Sequence, residues 1–453
     1  MKLKSIFCLT MCLPLLIQQS IIIATLFDMF FCFVINNETL YEAIRTIGAP
    51  TMLKNSGKGP LSGIRVLDIS TVIAGPMAAT LMADFGAEVI KVELPGIGDG
   101  LRGFPPLKDD KPLWWKVTNR GKYFATLDLR KPDGRELFLK MVAEADVVVE
   151  NFRPGTLDRW GLDIDTLWEA NPGLVVLRVS GFGQDGPYAK LPGFARIFEA
   201  MGGLTHITGD EDRPPMHTGY PLGDPIGGLF GAFAAVTALL NRERNNGKGE
   251  EIDVSLTEAT FRILEFLAIE YDQLGQVHQR SGNRNQYSAP ASVYMTSDKR
   301  YVSLSGSTNR IFQNNAAAIG RPELIQEERF ATNPARVKNS AELDRIFGGW
   351  IGAHTQDEVV ATFRAASGTI APIYSIDQMF EDPHFIARDA ITEVADDDFG
   401  TVKMQNLVPR FRNSPGEIRW AAKGMGAHNQ AVYGELMGLD EESLIDLKKR
   451  GVI

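Results

Sequence analysis

The chain has 453 residues, 44% hydrophobic and 23% charged, about three times the ~150 residues of a typical domain and ample for a sizeable core. Its 47 Lys and Arg against 56 Asp and Glu give a net charge of −9, which excludes an overall electrostatic footprint for nucleic acid. Cys8, Cys12 and Cys32 all fall early, so the body after them has no internal disulfide, thiolate metal site or cysteine nucleophile, and a cytoplasmic location is expected.

Residues 5–27 carry no charge and follow Lys2 and Lys4, the pattern of a signal peptide or anchor. Pro14, the Gln18-Gln19-Ser20 interruption and the lack of a small-x-small cleavage site weigh against it. Residues 1–60 are therefore read as an extension outside the folded protein, with Met52 as an alternative start, and no membrane association is expected. From Leu61 onward short apolar runs alternate with helical patterns. Strands are predicted at Ile64–Ile69, Glu88–Leu94, Tyr123–Leu129, Asp146–Phe152 and Leu174–Ser180. Helices are predicted at Gly75–Phe85 and at Pro132–Ala145, where proline opens the first turn. Such alternation implies a largely parallel, doubly wound α/β sheet, whose ligands sit at the carboxyl ends of the strands. Pro225–Leu240 reads as a buried core helix whose Gly227, Gly228 and Gly231 admit close neighbours, and Val254–Leu274 as a second long helix. Composition turns polar over 276–292. An α+β segment follows to about residue 375, and the last segment carries a helical pattern over Gln430–Arg450, broken near Gly438.

No HExxH, GxSxG or Walker pattern is present, so metal hydrolysis and serine-triad chemistry lose support. Gly181-Phe-Gly183-Gln-Asp-Gly186 matches GxGxxG. Pro187 and Pro192 keep a helix from opening at once, so a glycine-rich turn beside a pocket is the better reading than a dinucleotide cradle. Asp224, in Gly223-Asp-Pro225 before the apolar helix, is the unusual carboxylate. Its ordinary reading is an N-cap followed by a first-turn proline. Its functional reading is a carboxylate kept ionised and poised at the positive end of a helix, with glycines leaving room for substrate. Arg120, Lys122, Arg130, Arg153 and Arg159 lie on loops or strand ends of one sheet and together suit a multiply phosphorylated ligand.

The run Leu61-Ser-Gly-Ile-Arg-Val-Leu-Asp68, with Ala74-Gly-Pro76, Asp84-Phe-Gly-Ala-Glu-Val-Ile-Lys-Val-Glu93, Glu150-Asn-Phe-Arg-Pro-Gly155, Gly181–Tyr188 and Gly223-Asp224, resembles the family III CoA-transferases over about residues 61–453. The resemblance implies a Rossmann-like large domain formed by residues 61–275 and 385–453. A linker and smaller α+β domain over 276–384 would be inserted in it, and two subunits would interlock as a homodimer. It implies acyl-CoA and a carboxylic acid as substrates, with no permanently bound cofactor and no metal. It assigns the catalytic role to Asp224, through a mixed anhydride and then an aspartyl-CoA thioester. The CoA-lining positions fall on Ile73, Ala74, Leu94, Leu127, Leu129, Arg130, Asn151, Phe152, Arg153, Arg159, Phe194 and Ala195. The racemase branch of the same fold has histidine where this chain has Phe194, which cannot move a proton. A racemase or isomerase therefore ranks second, and a catalytically silent CoA-binding protein third. No run of glycines occurs in Gln276–Asn309, which speaks against oxalate or formate as substrate.

Overall fold

The computed structural model describes Leu53 and residues 57–453, so the reading of the first sixty residues falls almost wholly outside the described ones. Arg65–Asp68 (β1), Glu88–Glu93 (β2), Tyr123–Thr126 (β3), Val147–Glu150 (β4), Val175–Ser180 (β5) and Glu251–Ser255 (β6) form one six-stranded sheet in the order β3-β2-β1-β4-β5-β6. Every neighbouring pair is parallel. The inner strands are buried along their whole length, which is why they read as continuous Val, Ile and Leu runs rather than as alternation. Strand order reverses between β1 and β4. The loops leaving the carboxyl ends of those two strands therefore diverge and leave a crevice.

Helix Ala74–Asp84 (α1) follows β1, and Pro132–Ala143 (α2) opens with Pro132 in its first turn. They cover opposite faces of the sheet, each over its own hydrophobic core. Ala195–Met201 (α3), Gly223–Arg244 (α4), Leu256–Arg262 (α5) and Phe266–Leu274 (α6) follow β5. The single long helix expected over Val254–Leu274 is instead the last residues of β6, then α5, then α6. Ser255 ends the strand and caps α5 by accepting the Glu258 N–H at 3.2 Å. The buried core helix expected at Pro225–Leu240 also needs correction. α4 runs longer and buries its glycine face against α1 and β5, while Leu229, Phe233, Val236 and Leu240 stand exposed. It is also the one helix among the described residues that is long and apolar enough to cross a membrane by composition. Gly228 explains its close approach to α1: a Cβ there would lie 2.9 Å from the Ala74 carbonyl oxygen.

Ala291–Met295 (β7), Tyr301–Ser305 (β8) and Ile370–Pro372 (β9) make a small antiparallel sheet with a core of its own, built on Phe312, Phe330, Phe347 and Phe363. A hairpin that the sequence reading missed, Ile391–Asp396 (β10) with Gly400–Gln405 (β11), precedes the return of the chain to the large sheet. There the side chains of residues 428–433 cover the outer edge of β3. The Phe124 N–H donates to His428 Nδ1 at 2.9 Å, the Thr126 N–H to Asn429 Oδ1 at 2.9 Å, and Tyr433 Oη to the Thr126 carbonyl at 2.9 Å. The architecture is the α/β class expected, a Rossmann-like sheet with a smaller α+β part.

Candidate active site

At the strand-order reversal the loops after β1, β2, β3 and β4 enclose a cavity of about 230 Å³. Leu94, Leu127, Leu129, Arg130 and Phe152 line it, together with Thr71, Lys91, Asp99 and Trp160, which the sequence reading did not single out. The Phe152 and Trp160 rings meet edge to face, their centroids 5.1 Å apart. Arg130 is oriented by its own loop: Nε and Nη2 donate to the two Asp128 carboxylate oxygens at 2.7 and 2.9 Å. Its side chain is still 53% exposed, so guanidinium N–H groups remain accessible.

The floor of the cavity is a buried charge cluster. Lys91 Nζ pairs with Asp99 Oδ2 at 3.0 Å and also donates to the Ser70 carbonyl. Lys122 Nζ donates to Asp68 at 2.8 Å, to Asn119 Oδ1 and to the Pro76 carbonyl. Burial alone would raise the Asp68 carboxyl, but Lys122 and Lys91 hold it below its ordinary value. Lys122 is therefore a structural cation rather than a phosphate ligand. Arg120 is likewise occupied, with Nε and Nη2 on the two Asp84 oxygens at 2.9 and 2.7 Å and Nη1 on the Gln405 carbonyl at 2.8 Å.

Asn151 has a different task from lining. Its amide closes a two-point clamp on Thr71, accepting the Thr71 N–H at 2.7 Å and donating to the Thr71 carbonyl at 2.7 Å. The next residue, Val72, stands at φ +67°, a left-handed conformation that a β-branched side chain resists. Asp99 holds it there, its Oδ1 accepting the Val72 and Leu101 N–H groups at 2.9 Å each. This turn leads from the cavity to Ile73, which lines a larger groove of about 690 Å³ with Met77, Pro105, Trp114, Tyr220 and Pro221. Ala74 is the first residue of α1 and is buried. Arg153 and Arg159 are exposed on the β4 side, Arg159 donating to Thr156 Oγ1 at 2.9 Å.

Asp224 lies in the first turn of α4. It is not the N-cap that the ordinary reading required: the cap position is Leu222, and no side chain caps the helix. Nor do the helix dipole and free N–H groups keep it easily ionised. Burial, and then the neighbouring Glu199 carboxylate, push its pKa up to about 7. Tyr220 beside it is raised by burial and by Asp224, and its ring packs against Trp114 with centroids 5.7 Å apart. Ala195 belongs to this part of the site, since a Cβ on Gly223 would sit 3.3 Å from its carbonyl oxygen. Phe194, 73% exposed, precedes α3. Neither lines the cavity that holds Arg130. Gly181 of the GxGxxG run packs on Phe198, and the next helix starts only at Ala195, so those glycines form a turn and not a helix-mouth cradle.

Glu199, which the sequence reading passed over, is the charged residue closest in role to Asp224. One carboxylate oxygen accepts the Gly223 N–H at 3.1 Å, and the other faces His217 Nδ1 at 3.4 Å. A signal existed: a lone acidic residue among Ala195, Ile197, Phe198, Ala200 and Met201.

The CoA-transferase family III model matches residues 61–429. The chain is 42% identical to the succinyl-CoA–D-citramalate CoA-transferase of Chloroflexus aurantiacus, over 87% of this chain and 98% of that protein. It is 33% identical to the succinate–glutarate CoA-transferase of Agrobacterium fabrum, over 84% and 96% of the two chains. Among solved structures it resembles a CaiB/BaiF family protein from Brucella suis with a TM-score of 0.75 and 34% identity, covering 84% of this chain and 100% of that one. With a family match across most of its length and relatives named for CoA exchange with acids, the chain is a member of CoA-transferase family III, an enzyme that moves CoA between an acyl-CoA and a carboxylic acid.

Proposed function

We propose that this enzyme transfers CoA between short dicarboxylic acids, with Asp224 as the nucleophile. The observation that carries the assignment is a half-buried carboxylate of raised basicity at the mouth of α4, where that helix presses on the start of α1. The substrate class follows the relatives named for succinyl-CoA with citramalate and for succinate with glutarate. In this reading the phosphate end of CoA meets Arg130 at the strand-order reversal. The pantetheine arm crosses the Val72 turn, and the thioester reaches Asp224.

The chemistry balances without a resident cofactor. An Asp224 oxygen bonds to the thioester carbonyl carbon, the C–S bond breaks, and CoA leaves as thiolate. The thiolate then adds to the Asp224 carbonyl carbon, expelling the first acid as its carboxylate and leaving an aspartyl-CoA thioester. The acceptor carboxylate repeats the sequence in reverse. Water must stay out, because it would hydrolyse both intermediates. A racemase would need a second proton-moving group at Phe194, and a phenyl ring has no exchangeable proton.

The enzyme is proposed to work as a homodimer, whose interface would cover the exposed Leu229, Phe233, Val236 and Leu240 of α4 and Ile269 of α6. The nucleophile is tested by mixing enzyme with succinyl-CoA, quenching in acid and mapping peptides by mass spectrometry. An acyl or CoA adduct on the peptide holding Asp224 is expected. Asp224→Ala is expected to lose at least ~10³-fold in turnover while CoA affinity stays within about threefold. An adduct elsewhere, or an active Asp224→Ala enzyme, overturns the assignment.

A further inference from the structure

Glu199 is almost wholly enclosed, at 1% exposure, yet among the described residues no lysine or arginine neutralises it. Its partners are the Gly223 N–H, one residue before Asp224, and His217 Nδ1, which Thr205 Oγ1 also approaches at 3.3 Å. Other charges around the first turn of α4 point elsewhere. Arg196 on α3 and Glu258 and Arg262 on α5 are exposed, Asp84 at the far end of α1 is held by Arg120, and Arg178 on β5 pairs with Glu251 at 2.6 Å. On β6, Asp253 accepts the Gln184 N–H. Tyr220 completes the set and is uncharged at neutral pH. Glu199 is thus the anion set against Asp224.

We infer that Glu199 is a positioning residue for CoA transfer. It fixes the first turn of α4 through the Gly223 N–H, and its negative charge, facing Asp224, drives Asp224 toward its uncharged covalent forms. This rests on the reading of Asp224 as nucleophile. The physical reason is a difference between states. Free Asp224 is an anion and is repelled by Glu199. As mixed anhydride, and again as aspartyl-CoA thioester, it carries no charge, because the bond to carbon has removed it, and the repulsion disappears. Protonation relieves the same repulsion. The factor by which Glu199 favours the acylated over the ionised form should therefore match the factor by which it favours the protonated form, each pKa unit being tenfold.

Two readings test this on the full-length enzyme: the pH dependence of succinate release from succinyl-CoA in the absence of acceptor, and the ratio of chain carrying a covalent adduct to free chain at pH 8 by intact mass. Glu199→Gln, which keeps an acceptor for Gly223, is expected to shift the acid limb of succinate release down by about one pH unit. It should also lower the ratio of adduct to free chain by about tenfold, the two changes agreeing on a logarithmic scale. Glu199→Ala must move both readings the same way, and Glu199→Asp, which keeps the charge, must hold the limb near that of the unaltered enzyme. A rate that falls equally at every pH with the limb unmoved, or a limb that moves while occupancy does not, overturns the inference. An adduct that forms on Asp224→Ala refutes the nucleophile instead, whatever the Glu199 variants do, so the two failures are told apart.

Discussion

Three side chains expected to touch CoA have separate tasks in the structure, and the separation can be measured. Arg130 faces the cavity with half its surface free, so Arg130→Ala is expected to weaken CoA binding by ~1.5–3 kcal/mol, the scale of a hydrogen bond to a charged group, with little change in melting temperature. Isothermal titration with CoA beside a thermal melt reads both. Asn151 clamps Thr71 with donor and acceptor together, and Asn151→Asp would set a carboxylate oxygen against the Thr71 carbonyl. Here the melt should suffer, by ~1–3 kcal/mol of stability, the cost of a buried polar group left without its partner. Phe194 lines neither the cavity nor the groove. At this scale motif reading places residues along the chain but does not show what each side chain faces. A sequence places Asn151 at the end of a strand but does not show whether its amide faces ligand or the neighbouring loop. Asp99 and Glu199 matter through backbone N–H groups supplied by distant turns, and no spacing in the chain reveals such partners.

Among the elements, strands buried on both faces were legible because a parallel sheet enclosed by helices demands unbroken β-branched runs. β6 escaped notice for the opposite reason. It is an edge strand with one neighbour, its exposed Glu251 and Asp253 broke the apolar run, and Val254 and Leu256 fit a helical period equally well. The Ser255-Leu-Thr-Glu258 sequence did mark a helix start there. The segment over residues 428–433 covers the other edge, β3, with side chains in place of a further strand. His428 is the pH-sensitive member. Burial, with Lys423 nearby, depresses its pKa to about 4, and Nδ1 must be unprotonated to accept the Phe124 N–H. A histidine whose folded pKa lies below its ordinary 6.5 contributes stability that is present above that value and lost as pH falls toward 4. Thermal melts from pH 7.5 to 4 should show that loss. His428→Ala is expected to melt lower at pH 7, by ~1–3 kcal/mol for the orphaned N–H, and to have a flatter acid slope. An unchanged slope would dissociate His428 from acid lability.

For the whole molecule, the exposed apolar face of α4 is a fact of the single chain, and the proposed homodimer gives it a partner. Phe233, 72% exposed, is the side chain to alter: Phe233→Glu is expected to convert a dimer to a monomer in sedimentation velocity and to cut turnover at least tenfold. A monomeric unaltered enzyme would remove the dimer from the account. The sequence reading of this helix as buried was an inference from composition, and composition does not distinguish a helix covered by its own chain from one covered by another.

Two hydrogen bonds between distant parts of the chain bear on when the cavity is completed. The Asp128 N–H donates to the Val452 carbonyl at 2.8 Å, and Lys131 Nζ reaches the Gly451 carbonyl at 2.9 Å. The loop that presents Arg130 is thus buttressed by residues synthesised more than three hundred positions later. During translation this wall of the cavity stays unbraced until those residues clear the ribosome, so it takes its final form only after synthesis has passed them.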